Sequence, residues 1–154
     1  MNIFNAIERD DLDEIDRLIQ NNGDKLDLNR VSLDESGDSL LMAACIKGNP
    51  EIVRYLVDNG ADINFKRYGD KHTCLMEAVV ANNMAVVEYL LQHGANINDV
   101  NDIDKTALDL AKNPEMVNLF KKGGKNKSKR RKSKRRKSKR NKRKSKKNKS
   151  KKRK

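Results

Sequence analysis

From Lys121 to Lys154 the chain has no acidic side chain and no aliphatic or aromatic one; only Lys, Arg, Ser, Asn and two glycines occur. Such a segment has no apolar area to offset the entropy of ordering, which excludes a packed core there and predicts a disordered tail. Without aromatics it cannot stack bases or read their edges. Cysteine is scarce: Cys45 and Cys74 are the only two. Both fall inside apolar stretches, where Cys acts as a small core residue, so no disulfide is expected and a reducing compartment is the default. No stretch approaches the roughly 18 apolar residues of a membrane span. The opening MNIFNAIERDDLDEID reaches acids by position 8 with no basic start and apolar run before them, unlike a signal peptide. The expectation is an intracellular protein.

Recognisable catalytic chemistry is also missing. Histidine is limited to His72 and His93, which stand at different places in their surroundings and read as solvated or capping side chains. His72 with Cys74 offers at most two metal ligands, and no C-x-x-C or H-E-x-x-H accompanies them. Gly123-Gly124 reads as a hinge, since no strand or Gly-rich pattern surrounds it to cradle phosphate. No enzyme, metal or cofactor is expected.

What is present divides the chain in two. Residues 1–120 hold 11 Lys/Arg against all 22 Asp/Glu, a net of −11; residues 121–154 hold 24 Lys/Arg and no acid. Inside the acidic body, a single stretch is written twice. Gly48 to Asn64 (GNPEIVRYLVDNGADIN) returns at Asn82 to Asn98 (NNMAVVEYLLQHGANIN), with Tyr55, Gly60, Ala61, Ile63 and Asn64 each recurring 34 positions later. A period of that length marks a solenoid. Four apolar columns extend it across the body: Ile3/Leu41/Leu75/Leu108, Ala6/Ala44/Ala78/Ala111, Ile15/Val53/Val87/Val117 and Leu18/Leu56/Leu90/Phe120.

The helix starts Ser39-Leu40-Leu41, Thr73-Cys74-Leu75 and Thr106-Ala107-Leu108, the EIVRYLV and AVVEYLL helices and the closures GADIN and GANIN together resemble an ankyrin-repeat array over about residues 1–120. The resemblance implies an all-α solenoid of about four units, each a β-turn finger followed by two antiparallel helices, that grips a protein partner with its fingers and concave surface. The chain departs from the family's Thr-Pro-Leu-His start, having Leu40, Cys74 and Ala107 for proline and Met42, Met76 and Asp109 for histidine. That removes rigidity and local hydrogen bonds at the helix starts.

The expected helix pairs are Asn2 to Glu8 with Leu12 to Gln20, Leu40 to Lys47 with Pro50 to Asp58, and Cys74 to Ala81 with Met84 to Gln92. A fourth pair is abbreviated by a shortened link and ends near Phe120. Asn49 can cap the helix that Pro50 begins, and Gly60 and Gly94 can end theirs in the left-handed conformation. The acids at Asp10, Asp11, Asp13, Glu14 and Asp16 suit the polar outer face of a terminal unit. Tyr55 and Tyr89 recur at equivalent helix positions and read as packing between units.

The exposed turns are where a partner is sought. Phe65, Lys66, Arg67 and Tyr68 put aromatics beside cations, the usual anchors of interfaces, although Phe65 or Tyr68 could instead tuck against a neighbouring unit. The next turn is acidic and contributes Asp102 and Asp104. These six are the candidate protein-binding residues of an expected monomer.

From Ser128 the tail is nearly a pentapeptide repeat, SKRRK, SKRRK, SKRNK, an inserted RK, SKKNK, SKKRK. Lys129, Arg130, Arg131, Lys132, Lys134, Arg135, Arg136, Lys137, Lys139 and Arg140 are candidate contacts to RNA, DNA or another polyanion, by phosphate neutralisation and counterion release. The same run reads as a nuclear or nucleolar localisation signal. Ser133 and Ser138 follow Arg-Arg-Lys and are candidate phosphorylation sites. An anionic membrane surface lacks a second signal: Asn2 stands where myristoylation needs glycine. A tail that only solubilises the chain, or that folds back on the acidic body, remains an alternative to the adaptor reading. In the last case the protein would be a non-specific nucleic-acid binder capped or inhibited by its array.

Overall fold

A computed structural model describes residues 2–22, 26–29, 31–32 and 37–122. The tail beyond, with the Gly-Gly hinge and every basic and serine candidate named above, lies outside the described residues. The body is built from short antiparallel helix pairs: α1 (Ile3–Glu8) with α2 (Leu12–Asn22), α3 (Leu40–Lys47) with α4 (Pro50–Asp58), α5 (Cys74–Val80) with α6 (Met84–Gln92), and α7 (Ala107–Leu110) with a helical run over 114–122. The inner helices stack in series, α1 on α3, α3 on α5 and α5 on α7, while α4 packs on α6 in the outer row. Among the described residues the extended structure is three isolated antiparallel bridges, Val31 with Ser39, Lys66 with Thr73 and Val100 with Thr106. Each bridge closes one finger. The all-α solenoid that the ankyrin resemblance implies is the observed fold.

Local chemistry sets the ends of these helices. Ser39 and Thr73 each accept from the amide three residues on, Met42 and Met76 respectively. Thr106 and Asp109 complete a reciprocal capping box at the start of the one-turn α7. Asn49 caps α4 by accepting from Glu51 and Ile52, and Pro50 opens it. Gly60 (φ 98°) and Gly94 (φ 100°) turn left-handed just past α4 and α6.

The repeats are joined by asparagine. The Oδ1 of Asn29 accepts from the amide of Asp62 at 2.7 Å, and the Oδ1 of Asn64 accepts from the amide of Asn96 at 2.8 Å. The closing asparagine of the first and of the second unit thus bonds the backbone of the next. A second set joins the turns between helices. Asn49 donates to Asp10 at 3.3 Å, Asn113 to Asn82 at 3.2 Å, and Asn83 to the carbonyl of Cys45 at 3.0 Å. Asp10, Gly48 and Asn82 occupy the same left-handed turn position in successive units, and only Gly48 lacks a side chain for the next asparagine. A Cβ at Gly48 would lie 2.5 Å from the Asn83 side chain, so glycine leaves the space through which Asn83 reaches the Cys45 carbonyl.

The core follows the expected columns in the middle and departs from them at both ends. Leu41, Leu75, Val53, Val87, Leu56 and Leu90 are buried. In α2, Ile15 and Ile19 are buried while Leu18 is half-buried. In the last unit Met116 and Phe120 are buried, Val117 and Ala111 are half-buried, and Leu108 is 42% exposed. Leu41 and Leu75 are covered from both sides by neighbouring inner helices, whereas among the described inner helices α7 packs on α5. The Cys45 and Cys74 thiols are free and buried, and desolvation is the main cause that pushes the Cys45 thiol well up from its usual range.

Candidate functional site: the finger edge

The second and third fingers carry the candidate partner residues, and the same backbone plan shapes both. Arg67 donates its amide to the His72 carbonyl, and Asn101 donates its own to Lys105. Lys71 (φ 57°) and Asp104 (φ 57°) hold the left-handed position that Gly37 (φ 61°) takes in the first finger. A backbone bond from the Asp102 amide to the Asp70 carbonyl, 2.9 Å, fastens one fingertip to the next.

Arg67 lies at the centre of this edge. Its side chain is 16% exposed, and its guanidinium contacts three carboxylates: Asp38 of the first finger at 2.5 Å, Asp70 of its own at 2.5 Å, and Glu77 of α5 at 2.7 Å. The planar fork suits this multiple pairing in a way an ammonium would not. The hydrogen bonds to Asp70, and to a lesser extent Asp38, hold the guanidinium protonated even more firmly than usual, against its desolvation. Reciprocally, Arg67 holds the Asp70 carboxyl below the ordinary carboxylate range. Glu77 also bonds His72 Nδ1 at 3.0 Å, and His72 Nε2 faces the Asn101 amide nitrogen at 3.2 Å. One polar network therefore runs from the first finger to the third.

The other candidates divide between framework and surface. Phe65 is half-buried and packs on the core. Lys66 pairs with Asp99 of the third finger at 2.8 Å, so opposite charges on the two fingers meet each other. Arg67, expected to face a partner, is instead held inward, because three carboxylates from separate segments converge on it. Tyr68 is 88% exposed, and Asp102 and Asp104 are exposed beside it on the joined tip. Ile103, which the repeat pattern does not single out, is 64% exposed between those acids. Tyr68 and Ile103 are the two most exposed large apolar residues among the described ones. The only sequence signal for Ile103 is an apolar side chain in an otherwise polar turn.

Asp70, His72 and Glu77 bring one ligand atom each within 4.8 Å of one another, a grouping that sequence spacing does not reveal. The Arg67 guanidinium already contacts both carboxylates. A divalent cation would have to displace it, so the donors present serve an ion-pair network and do not fit a metal. His93 stacks on the Tyr89 ring at 3.9 Å and its Nδ1 lies 2.8 Å from the Tyr89 carbonyl, a capping role at the end of α6. The recurring tyrosines do join units, each with its own chemistry. The Tyr55 hydroxyl donates to Asp16 of the preceding unit, which raises its pKa, whereas Tyr89 lies beneath the Arg54 guanidinium, 5.8 Å from its centroid. Burial is the first cause that raises the Tyr89 pKa.

Comparison with known proteins agrees with this architecture. The family of ankyrin repeats in three copies matches residues 3–67, and the single ankyrin repeat matches residues 70–102. Among solved structures, the crystal structure of the ankyrin repeat domain of Bcl-3, described as a unique member of the IkappaB protein family, is similar with a TM-score of 0.69 at 22% identity. That likeness covers 77% of this chain and 50% of the Bcl-3 domain chain, so this protein spans about half of its neighbour. A search of curated proteins returns no match. The chain is a repeat protein of stacked helix pairs and belongs to the ankyrin-repeat family. Ankyrin repeats are modules of protein–protein interaction, ordinarily non-catalytic. Among the described residues no helix is long and apolar enough to cross a membrane.

Proposed function

We propose that the array is an adaptor that holds a protein partner on the tips of its second and third fingers, with the basic residues 121–154 attaching the complex to a polyanion. The observation that carries the reading is Tyr68, 88% exposed on a finger whose base is fixed by the Arg67 network. A large aromatic on a rigid support loses little entropy on binding, and aromatic anchors carry much of an interface's energy. Tyr68, Ile103, Asp102 and Asp104 form the contact, while Phe65, Lys66 and Arg67 keep it in shape. The tail supplies the address, nuclear or nucleolar, through its 24 cationic residues. Phosphate added at Ser133 and Ser138 would weaken that attachment.

Proteins retained by the full chain from a lysate, identified and then purified, provide the test. Tyr68→Ala together with Ile103→Ser should weaken the purified partner's affinity by at least about tenfold while leaving the melting temperature unchanged. Equal affinity would remove the fingertips from the interface. A second reading, in which the acidic body masks the tail, draws on the opposition of −11 and +24 between body and tail. It predicts that a peptide of residues 123–154 binds duplex DNA and RNA more tightly than the full chain does at low salt.

A further inference from the structure

We propose that His72 and Asn101 form a proton-sensitive latch between the second and third fingers, closed when the imidazole is neutral and opened when it is charged. The orientation of Asn101, which is buried, decides the tautomer of its neighbour. Its Oδ1 accepts from two backbone amides of its own finger, Ile103 at 3.1 Å and Lys105 at 2.9 Å. An inverted amide would point its NH2 at two other donors, so those bonds fix which end is oxygen. The Nδ2 group is then the one that faces His72 Nε2, at 3.2 Å.

Nδ2 only donates, so Nε2 must accept, and an accepting imidazole nitrogen carries no proton. The single proton of neutral His72 therefore sits on Nδ1, where Glu77 Oε1 accepts it at 3.0 Å. The same Glu77 oxygen takes the Arg67 Nη2 donor at 2.7 Å. His72 thus satisfies an acceptor on one side and a donor on the other in one tautomer only.

Protonation changes Nε2 from acceptor to donor and sets N–H against N–H. Asn101 cannot answer by flipping without losing Ile103 and Lys105, so its side chain must leave His72 or release the turn. The charges around the ring bear on where this happens. Glu77 of α5 faces Nδ1; Asp70 accepts the His72 amide at 3.1 Å; Arg67 pairs with both acids, and Asp38 of the first finger enters through Arg67. Lys71 and Lys105 are exposed. Carboxylates and the Arg67 guanidinium thus face the ring on its Nδ1 side, and the Asn101 donor faces it at Nε2. Imidazole is the side chain whose ordinary titration falls between about pH 5 and 8.

The test is nitrogen-15 NMR of the full chain across pH, with His93 as the internal control. Above the titration, His72 should show the Nδ1-protonated tautomer. As it charges, the Ile103 and Lys105 amides should shift and lose about tenfold in protection from hydrogen exchange. In Asn101→Ala the His72 midpoint should rise by about 1 pH unit, while His93 stays put. Asn101→Asp keeps an oxygen for the two backbone amides and replaces the donor by an acceptor. It should raise the midpoint further, and it reports even if the alanine variant does not fold. An Nε2-protonated neutral His72, or a His72 midpoint that Asn101→Asp leaves unmoved, would overturn the proposal.

Discussion

Arg67 connects three carboxylates, at Asp38, Asp70 and Glu77, within 2.7 Å. Its removal takes the guanidinium away from Glu77, whose side chain is only 12% exposed, and losing one partner of a buried pair costs about 3 kcal/mol. Arg67→Ala should lower unfolding free energy by roughly that amount in urea denaturation, and Arg67→Lys should recover less than half, since one ammonium cannot span three partners. Asp70 adds a pH dependence of known sign. Arg67 lowers its folded pKa, so its contribution is fully present above the unfolded carboxylate value near about 3.9 and is lost as pH falls through the folded one. Asp70→Asn should flatten the acid limb of the stability profile below about pH 4, measured by denaturant titration at each pH. Gly48 is the other residue with a sharp expectation. Its φ of 82° and the 2.5 Å approach of Asn83 make Gly48→Ala destabilising by about 1–2 kcal/mol, read as a lower melting temperature.

Between elements, the unit-to-unit asparagine bonds account for Asn29 and Asn64. Asn64 accepts from the Asn96 amide of the next unit, whereas no described residue donates to the Asn98 side chain. Asn64→Ala should therefore cost about 1 kcal/mol and Asn98→Ala close to nothing in thermal unfolding, a comparison in which composition and helix propensity are the same. The repeat itself is legible in the sequence because the signals within a unit are local. Ser39, Asn49 and Thr73 cap within three residues, and Gly60 and Gly94 stop helices where they stand. The ends are less legible. The columns place Leu108 and Val117 in the core, yet Leu108 is exposed and Met116 is buried in the place expected for Val117. The one-turn α7 and its shortened link move the last helix relative to the pattern, and among the described residues no further inner helix covers Leu108.

Across the whole molecule, charge divides along the same line as structure. The array of residues 1–120 carries −11 and the segment after it +24. In a solenoid each unit contacts only its neighbours, so a partner surface can be built from two adjacent fingers and stabilised by the rest of the stack. For the basic segment, affinity for duplex DNA should fall linearly in log–log salt plots with a slope of about −0.9 per phosphate neutralised, equally for unrelated sequences. A sequence preference that survives rising salt would remove the counterion account of the tail.

The 34-residue period, the helix starts and stops, the family and the separation of acidic body from basic tail can all be read from the residues alone, because each is written within one unit or in composition. What faces what comes only from the folded stack. Asp38 meets Arg67 from 29 residues away, and His72 meets Asn101 across the same interval, because stacking sets one position of a finger against a different position of the next and repeats that pairing down the array. A periodic sequence states which positions are equivalent. Whether a charged side chain there turns to a partner or to its neighbour depends on which carboxylates the stack has already brought within reach.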